Sequence, residues 1–221
     1  LEALSQKQYD LIIAMPGMDI SETFQGGRVI KEKYPEIPIV VLTPFSKEVS
    51  RRIAHEDLSG IDYVFSWLGN VDLLLAIIKL LEDKMNAEND INSVGVQAIM
   101  LVEDSVRFYS SVLPHLYKFL LKQSMEFSTE ALNEHEQMLR MRGRPKVMLA
   151  RDYEEAVALY EHYGKNMLGV ISDVSFKHEG VKDSAAGLTL AKYLRGKDPY
   201  LPIIMESSEV DNASKVKEFD G

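Results

Sequence analysis

The chain contains no cysteine in 221 residues. That excludes disulfides, thiolate metal sites and cysteine nucleophiles, and it fits the cytoplasm. Long hydrophobic runs are also absent. Nothing approaches the ~20 apolar residues that a membrane helix needs, and apolar runs such as "IPIVVL" and "LGVI" are of strand length. The opening "LEALSQKQYD" lacks the basic start and apolar centre of a signal peptide. It also lacks an initiator Met, so the chain reads as cut from a longer protein. Positive charge is short: 25 Lys and Arg stand against 34 Asp and Glu, a net charge of -9. Such a balance opposes non-specific nucleic-acid binding, which depends on neutralising phosphates. The one basic cluster, "RMRGRPK" at 140 to 146, reads as a solvated turn. The five His residues show no paired metal spacing, and His135 in "LNEHEQ" reads as part of a solvated helix face. The "GG" at 26 and 27 lacks the other glycines of a dinucleotide fingerprint. Trp67, the single tryptophan, reads as a core or interface aromatic.

What is present is a globular composition, 46% hydrophobic and 27% charged, able to bury a core. Strand-like apolar runs alternate with helix-period segments, which predicts βαβ units around parallel sheets. In the first half the pattern predicts a strand at 10 to 15, a helix near 22 to 34 and a strand at 37 to 43. A helix at about 46 to 57, the strand "GIDYVFSW" and the helix "NVDLLLAIIKLLEDKMN" follow, the last with Asn70 as N-cap. "NAENDINS" at 86 to 93 has linker composition. Beyond it come the strand "VQAIMLVED", a helical segment in which Pro114 should cause a kink or break, and a second helical segment at about 129 to 141. Then follow the strand "PKVMLA" and a helix bounded by Asp152 and Gly164. The strand "LGVISD" leads into a long polar loop, the helix "AAGLTLAKYLRG" and the strand "YLPIIMESSE".

The halves repeat. "YDLIIAMPGM … KEKYPEIPIVVLTPF" matches "NMLGVISDVSF … RGKDPYLPIIMESSE". In each, a strand leads through a loop and helix to a proline-introduced strand ending in Thr or Ser. A repeat of this size indicates duplicated domains: residues 1-88, without opening strands, and residues 94-221, without a last strand. An incomplete sheet edge invites pairing, which predicts a homodimer or complementation between halves.

Polar groups collect where strands end. Glu103 and Asp104 end the first strand of the second half, Asp173 ends the third, and Ser207 and Ser208 the fourth. Ligands of open parallel sheets sit beyond the carboxyl ends of the strands. Three carboxylates gathered there raise one another's pKa values, and a divalent cation relieves the repulsion. Oxygen ligands suit Mg2+ better than zinc. A carboxylate in such a place can act as a nucleophile toward phosphorus.

The second half resembles the receiver domain of bacterial two-component response regulators. "IMLVEDS" resembles its first strand with the acidic pair, "VISDVSF" the phosphoacceptor strand, and "LPIIMESSE" the strand that ends in Thr or Ser. The resemblance implies a flavodoxin-like, doubly wound α/β fold, with Asp173 as phosphoacceptor and Ser207 as the switch hydroxyl. It implies Mg2+ held by Glu103, Asp104, Asp173 and the Ser175 carbonyl. It also implies a histidine kinase or phosphotransfer protein as phosphodonor. The family's phosphate-binding Lys has no counterpart: Lys215 and Lys217 lie out of position. The loop after Asp173, "VSFKHEGVKDSAA", is longer than usual and lacks a Met-Pro pair; within it His178 is a minor candidate for the site. The first half resembles the latter part of the same domain type, with "MPGMD" as its loop and Thr43 at a strand end. Met15 stands where the acceptor acid falls, Trp67 where the Lys falls, and Asp19 is out of register. This copy therefore reads as a pseudo-receiver.

The expected function is phosphorelay signalling through Asp173, controlling an output outside the chain, with no nucleic-acid or membrane contact of its own. Two alternatives stand beside it. One is an interaction scaffold with both copies inactive. The other is a Mg2+-dependent phosphatase-type enzyme, which Ser175 disfavours because such enzymes carry a second Asp there.

Overall fold

The structure, a computed structural model, describes residues 2–17, 20–44, 57–129, 133 and 143–207. The elements in chain order are α1 (Glu2–Gln6), β1 (Ile12–Ala14), α2 (Ile20–Lys33), β2 (Ile39–Pro44), β3 (Tyr63–Trp67), α3 (Asp72–Ala87), β4 (Ala98–Val102), α4 (Val106–Thr129), β5 (Lys146–Ala150), α5 (Tyr153–Tyr163), β6 (Met167–Asp173), β7 (Phe176–His178), β8 (Val181–Asp183), α6 (Ala186–Lys197) and β9 (Ile203–Glu206). The helices expected at 46 to 57 and at 129 to 141 lie outside the described residues, apart from residues 57, 129 and 133. The protein is an α/β protein with parallel sheets. It divides into two compact units: residues 1–73 with 106–112, and residues 74–105 with 113–221. No helix among the described residues is long and apolar enough to cross a membrane.

In the first unit three parallel strands run in the order β1-β2-β3. The central β2 is buried from Ile39 to Thr43, the near-continuous apolar run expected of a strand covered on both faces. Phe24 of α2 packs with Ile39, Val41, Ile61 and Val64. Glycines allow a close approach here. A Cβ on Gly60 would strike the backbone of Arg28, and one on Gly27 would strike Ile61 and the Gly60 carbonyl. The β3 edge is closed by side chains from the first turns of α4. The Tyr109 hydroxyl donates to the Val64 carbonyl, and the Ser66 N–H donates to Ser110 Oγ at 2.9 Å. An edge strand with its polar groups engaged in this way is blunted as a pairing template.

In the second unit four parallel strands run in the order β5-β4-β6-β9. The core holds Met100, Val102, Ala150, Val170, Phe176 and Leu190, all buried. Helix α5 begins as its sequence predicts: Asp152 accepts the Glu155 N–H at 2.7 Å. It stops at Gly164, which opens a short 3-10 turn. Asn70 likewise accepts the Asp72 N–H at 3.0 Å at the start of α3.

Three expectations need correction. The stretch 88–93, of linker composition, is a π-helical turn with Ile91 buried; Ile91 packs with Ala87, Ala98 and Met148. Of the kink or break expected at Pro114, the break is excluded, because α4 runs through it from Val106 to Thr129 with Pro114 itself buried. Tertiary burial there outweighs the single backbone hydrogen bond that proline removes. The basic cluster at 140 to 146 does not end in a solvated turn, because Arg144 and Lys146 are buried. Arg144 pairs with the fully buried Asp83 of α3 at 2.6 Å and Lys146 with Asp90 at 2.7 Å, and a buried charge requires such a partner.

Candidate functional site

The site lies in the second unit, at the carboxyl ends of β4 and β6. The chain enters the sheet at β4, crosses to β5 on one side and then to β6 on the other. The gap beyond β4 and β6 is therefore the topological switch point, where sheet folds of this kind bind ligands. Glu103 and Asp104 directly follow β4 and Asp173 ends β6. Each of these three side chains offers a carboxylate oxygen within 4.8 Å of the others.

Local backbone bonds aim the acids. The Ser105 N–H donates to Glu103 Oε1 at 2.9 Å, and the Val174 N–H donates to Asp173 Oδ1 at 2.7 Å. The start of α6 presses closely on Asp173. The Gly187 N–H donates to the Val174 carbonyl at 3.0 Å, and a Cβ on Gly187 would run into the Asp173 carbonyl oxygen and Val174 Cα. Only glycine lets helix and strand approach this far.

Electrostatics follow from burial. Burial pushes the Glu103 carboxyl up to about 7, and the neighbouring Asp173 and Asp104 charges add to the push. The bond from Ser105 and the Lys182 charge oppose it. Asp173 is raised chiefly by burial, against the bond from Val174 and the charge of Lys182. Carboxyls that resist ionisation are what crowding three acids in a half-dry cleft produces.

Lys182 is the group that sequence reasoning missed. Its ammonium donates to Asp104 Oδ1 and Oδ2, each at 2.9 Å, and to the Ser175 carbonyl at 2.5 Å. It reaches them from an antiparallel hairpin, β7–β8, that replaces the expected polar loop. The signal was present in "FKHEGVKD". Glu179 and Gly180 form a two-residue turn with φ of 53° and 76°, the left-handed pair that tight hairpins require.

The other expected residues fall as follows. The Ser175 carbonyl faces the cluster through Lys182. Ser207 follows β9 and is exposed; it lies at the same sheet end as Asp173, because Asp173 pairs in register with Glu206. Ser208, Lys215 and Lys217 lie outside the described residues, as do Asp19 and His135. His178, in β7, lies tilted against the Tyr153 ring of α5 with centroids 4.2 Å apart, and its Nδ1 is 3.5 Å from Asp183. In the first unit Met15 follows β1 and is largely exposed. The Thr43 hydroxyl is buried and donates to the Phe65 carbonyl at 3.4 Å.

The donor set fits a hard divalent cation. Three carboxylates and a backbone carbonyl supply oxygen ligands of the right kind, and a cationic group, the Lys182 ammonium, already rests on two of them. Among the described residues this is the one group of three or more acids, histidines or cysteines placed to hold a metal ion. No protein-family model, curated protein or solved structure matches the chain.

Proposed function

We propose that the second unit is a receiver-type phosphoacceptor module of flavodoxin-like fold, and that Asp173 is the residue that takes the phosphoryl group. The observation that carries this reading is the convergence of Glu103, Asp104 and Asp173 at the switch point of a β5-β4-β6-β9 parallel sheet. An Asp173 oxygen would attack phosphorus while the donor's bond to phosphorus breaks, giving an aspartyl phosphate. Mg2+, held by Glu103, Asp104, Asp173 and the Ser175 carbonyl, would supply charge neutralisation on the transferring group. Ser207, one residue beyond the register partner of Asp173, would contact the new phosphate and shift the end of β9. The phosphodonor by the same reading is a phosphohistidine of a kinase or phosphotransfer protein.

The first unit is proposed as a second, degenerate copy. Its β1-β2-β3 order is consistent with the last three strands of the same fold. Met15 stands at the acceptor position, where a thioether cannot be phosphorylated. One observation favours an interaction scaffold as the second reading: the Lys182 ammonium neutralises part of the acidic cluster. The phosphatase-type reading has no such support, since the position two residues after Asp173 contributes its carbonyl rather than an acid.

Incubation with acetyl phosphate and Mg2+, followed by intact-mass analysis, is the test. The expected product is one alkali-labile phosphoryl adduct that disappears in Asp173→Asn. No adduct, or an adduct that survives in Asp173→Asn, rejects the proposal in favour of the scaffold.

A further inference from the structure

Lys182 sits on the oxygens that a divalent cation would use. An ammonium has three donors, and the three short contacts of Lys182 go to both Asp104 oxygens and the Ser175 carbonyl. Magnesium binds oxygen at about 2.0–2.1 Å and demands near-octahedral geometry. An ammonium held 2.5 to 2.9 Å from the same oxygens leaves no room for it, and the two positive charges would repel one another. Lysine docking and metal binding at Asp104 therefore exclude each other.

The hairpin explains how the lysine is delivered and how it can leave. It is fixed at both ends: at its base Phe176 is fully buried and the Lys177 backbone forms a β-bridge with Asp152, and at its turn the Glu179 N–H donates to Glu154 Oε1 at 3.0 Å. Lys182 lies opposite Lys177 in the hairpin register, so its backbone is carried by that fixed base. Its side chain, by contrast, is 55% exposed while that of Asp104 is 14% exposed. The long flexible stem can swing into water without unfolding the hairpin.

We propose that Lys182 is a tethered counter-ion that competes with a divalent cation for Asp104 and the Ser175 carbonyl, so that metal loading expels the lysine side chain from the site. This rests on the cation reading of the acidic cluster. Its consequence is a reduced apparent metal affinity, since only molecules with the lysine undocked can bind.

Mn2+ binding, read by the electron paramagnetic resonance signal of the free ion, tests it on the chain at neutral pH. Circular dichroism checks that each variant is folded. Lys182→Met should bind Mn2+ about tenfold more tightly than the unmodified chain, the factor expected if about a tenth of molecules are undocked. Lys182→Gln should move affinity in the same direction, Lys182→Arg should leave it near the original, and Asp104→Asn should abolish binding. If Lys182→Met and Lys182→Gln bind no more tightly than the original while Asp104→Asn still abolishes binding, the competition is overturned and the cation site stands. If neither the original chain nor the Lys182 variants bind Mn2+, the cation site and the competition fall together.

Discussion

Arg144 grips Asp83 through two guanidinium nitrogens, Nη2 to Oδ1 at 2.6 Å and Nη1 to Oδ2 at 3.0 Å, with the carboxylate fully buried. The same carboxylate accepts the Tyr117 hydroxyl and the Val147 N–H, each at 2.9 Å. One residue of α3 thus ties the entry of β5 to α4 within the second unit. The arrangement is fully hydrogen-bonded, which is the condition under which a buried ion pair is tolerated.

Removing one partner should be severe. Asp83→Ala leaves Arg144 buried without its carboxylate and is expected to cost about 3–5 kcal/mol of unfolding free energy. Urea unfolding followed by circular dichroism measures it. The double variant Asp83→Ala/Arg144→Met should lose less than the sum of the two single losses, because the uncompensated charge is gone.

Gly187→Ala should also destabilise, by about 1–3 kcal/mol as an overpacked contact. The added Cβ meets the Asp173 carbonyl and Val174 Cα, so relief requires moving either α6 or the end of β6. Because β6 carries Asp173, the same variant should weaken Mn2+ binding. A stability loss with unchanged Mn2+ affinity would show that the strand end holds and the helix moves.

Ser110→Ala removes the acceptor of the Ser66 N–H. Leaving a buried donor unpaired costs about 1–3 kcal/mol, and it also reopens part of the β3 edge. Thermal unfolding should register the loss, and light scattering should show increased self-association against Ser110→Thr, which keeps the hydroxyl.

The Glu103 carboxyl sets a pH dependence in the presence of a chelator. Its folded value, near 7, lies above its ordinary 4.5. The folded state therefore holds a proton that the unfolded state releases between those values, and stability falls as pH rises from about 4.5 to about 7. Asp173, also raised by burial, acts in the same direction. Glu103→Gln should flatten the decline in chemical-denaturation midpoint across that window. An undiminished slope would assign the effect to other groups.

Much of the architecture was legible from short-range pattern. The apolar run "IVVL" specifies a covered strand because no polar residue in it could face water. Asp152 marks a helix start because its side chain can reach the Glu155 N–H from the adjacent turn. Glu103, Asp104 and Asp173 were legible as a group because strand ends in a parallel sheet are gathered by topology, and their apolar strands announce themselves.

The sequence by itself determined the alternation of strands and helices and the acidic strand ends, since each depends on neighbouring residues and periodicity. Tertiary structure decided what the charges do. Arg144 lies 61 residues from Asp83, and Lys182 lies 78 from Asp104. No local pattern distinguishes a buried or docked cation from a solvated one, because its partner is chosen by how the sheet folds back on itself. The residue that most alters the reading of Asp173 and its neighbours is therefore Lys182, whose place in the site only the hairpin geometry reveals.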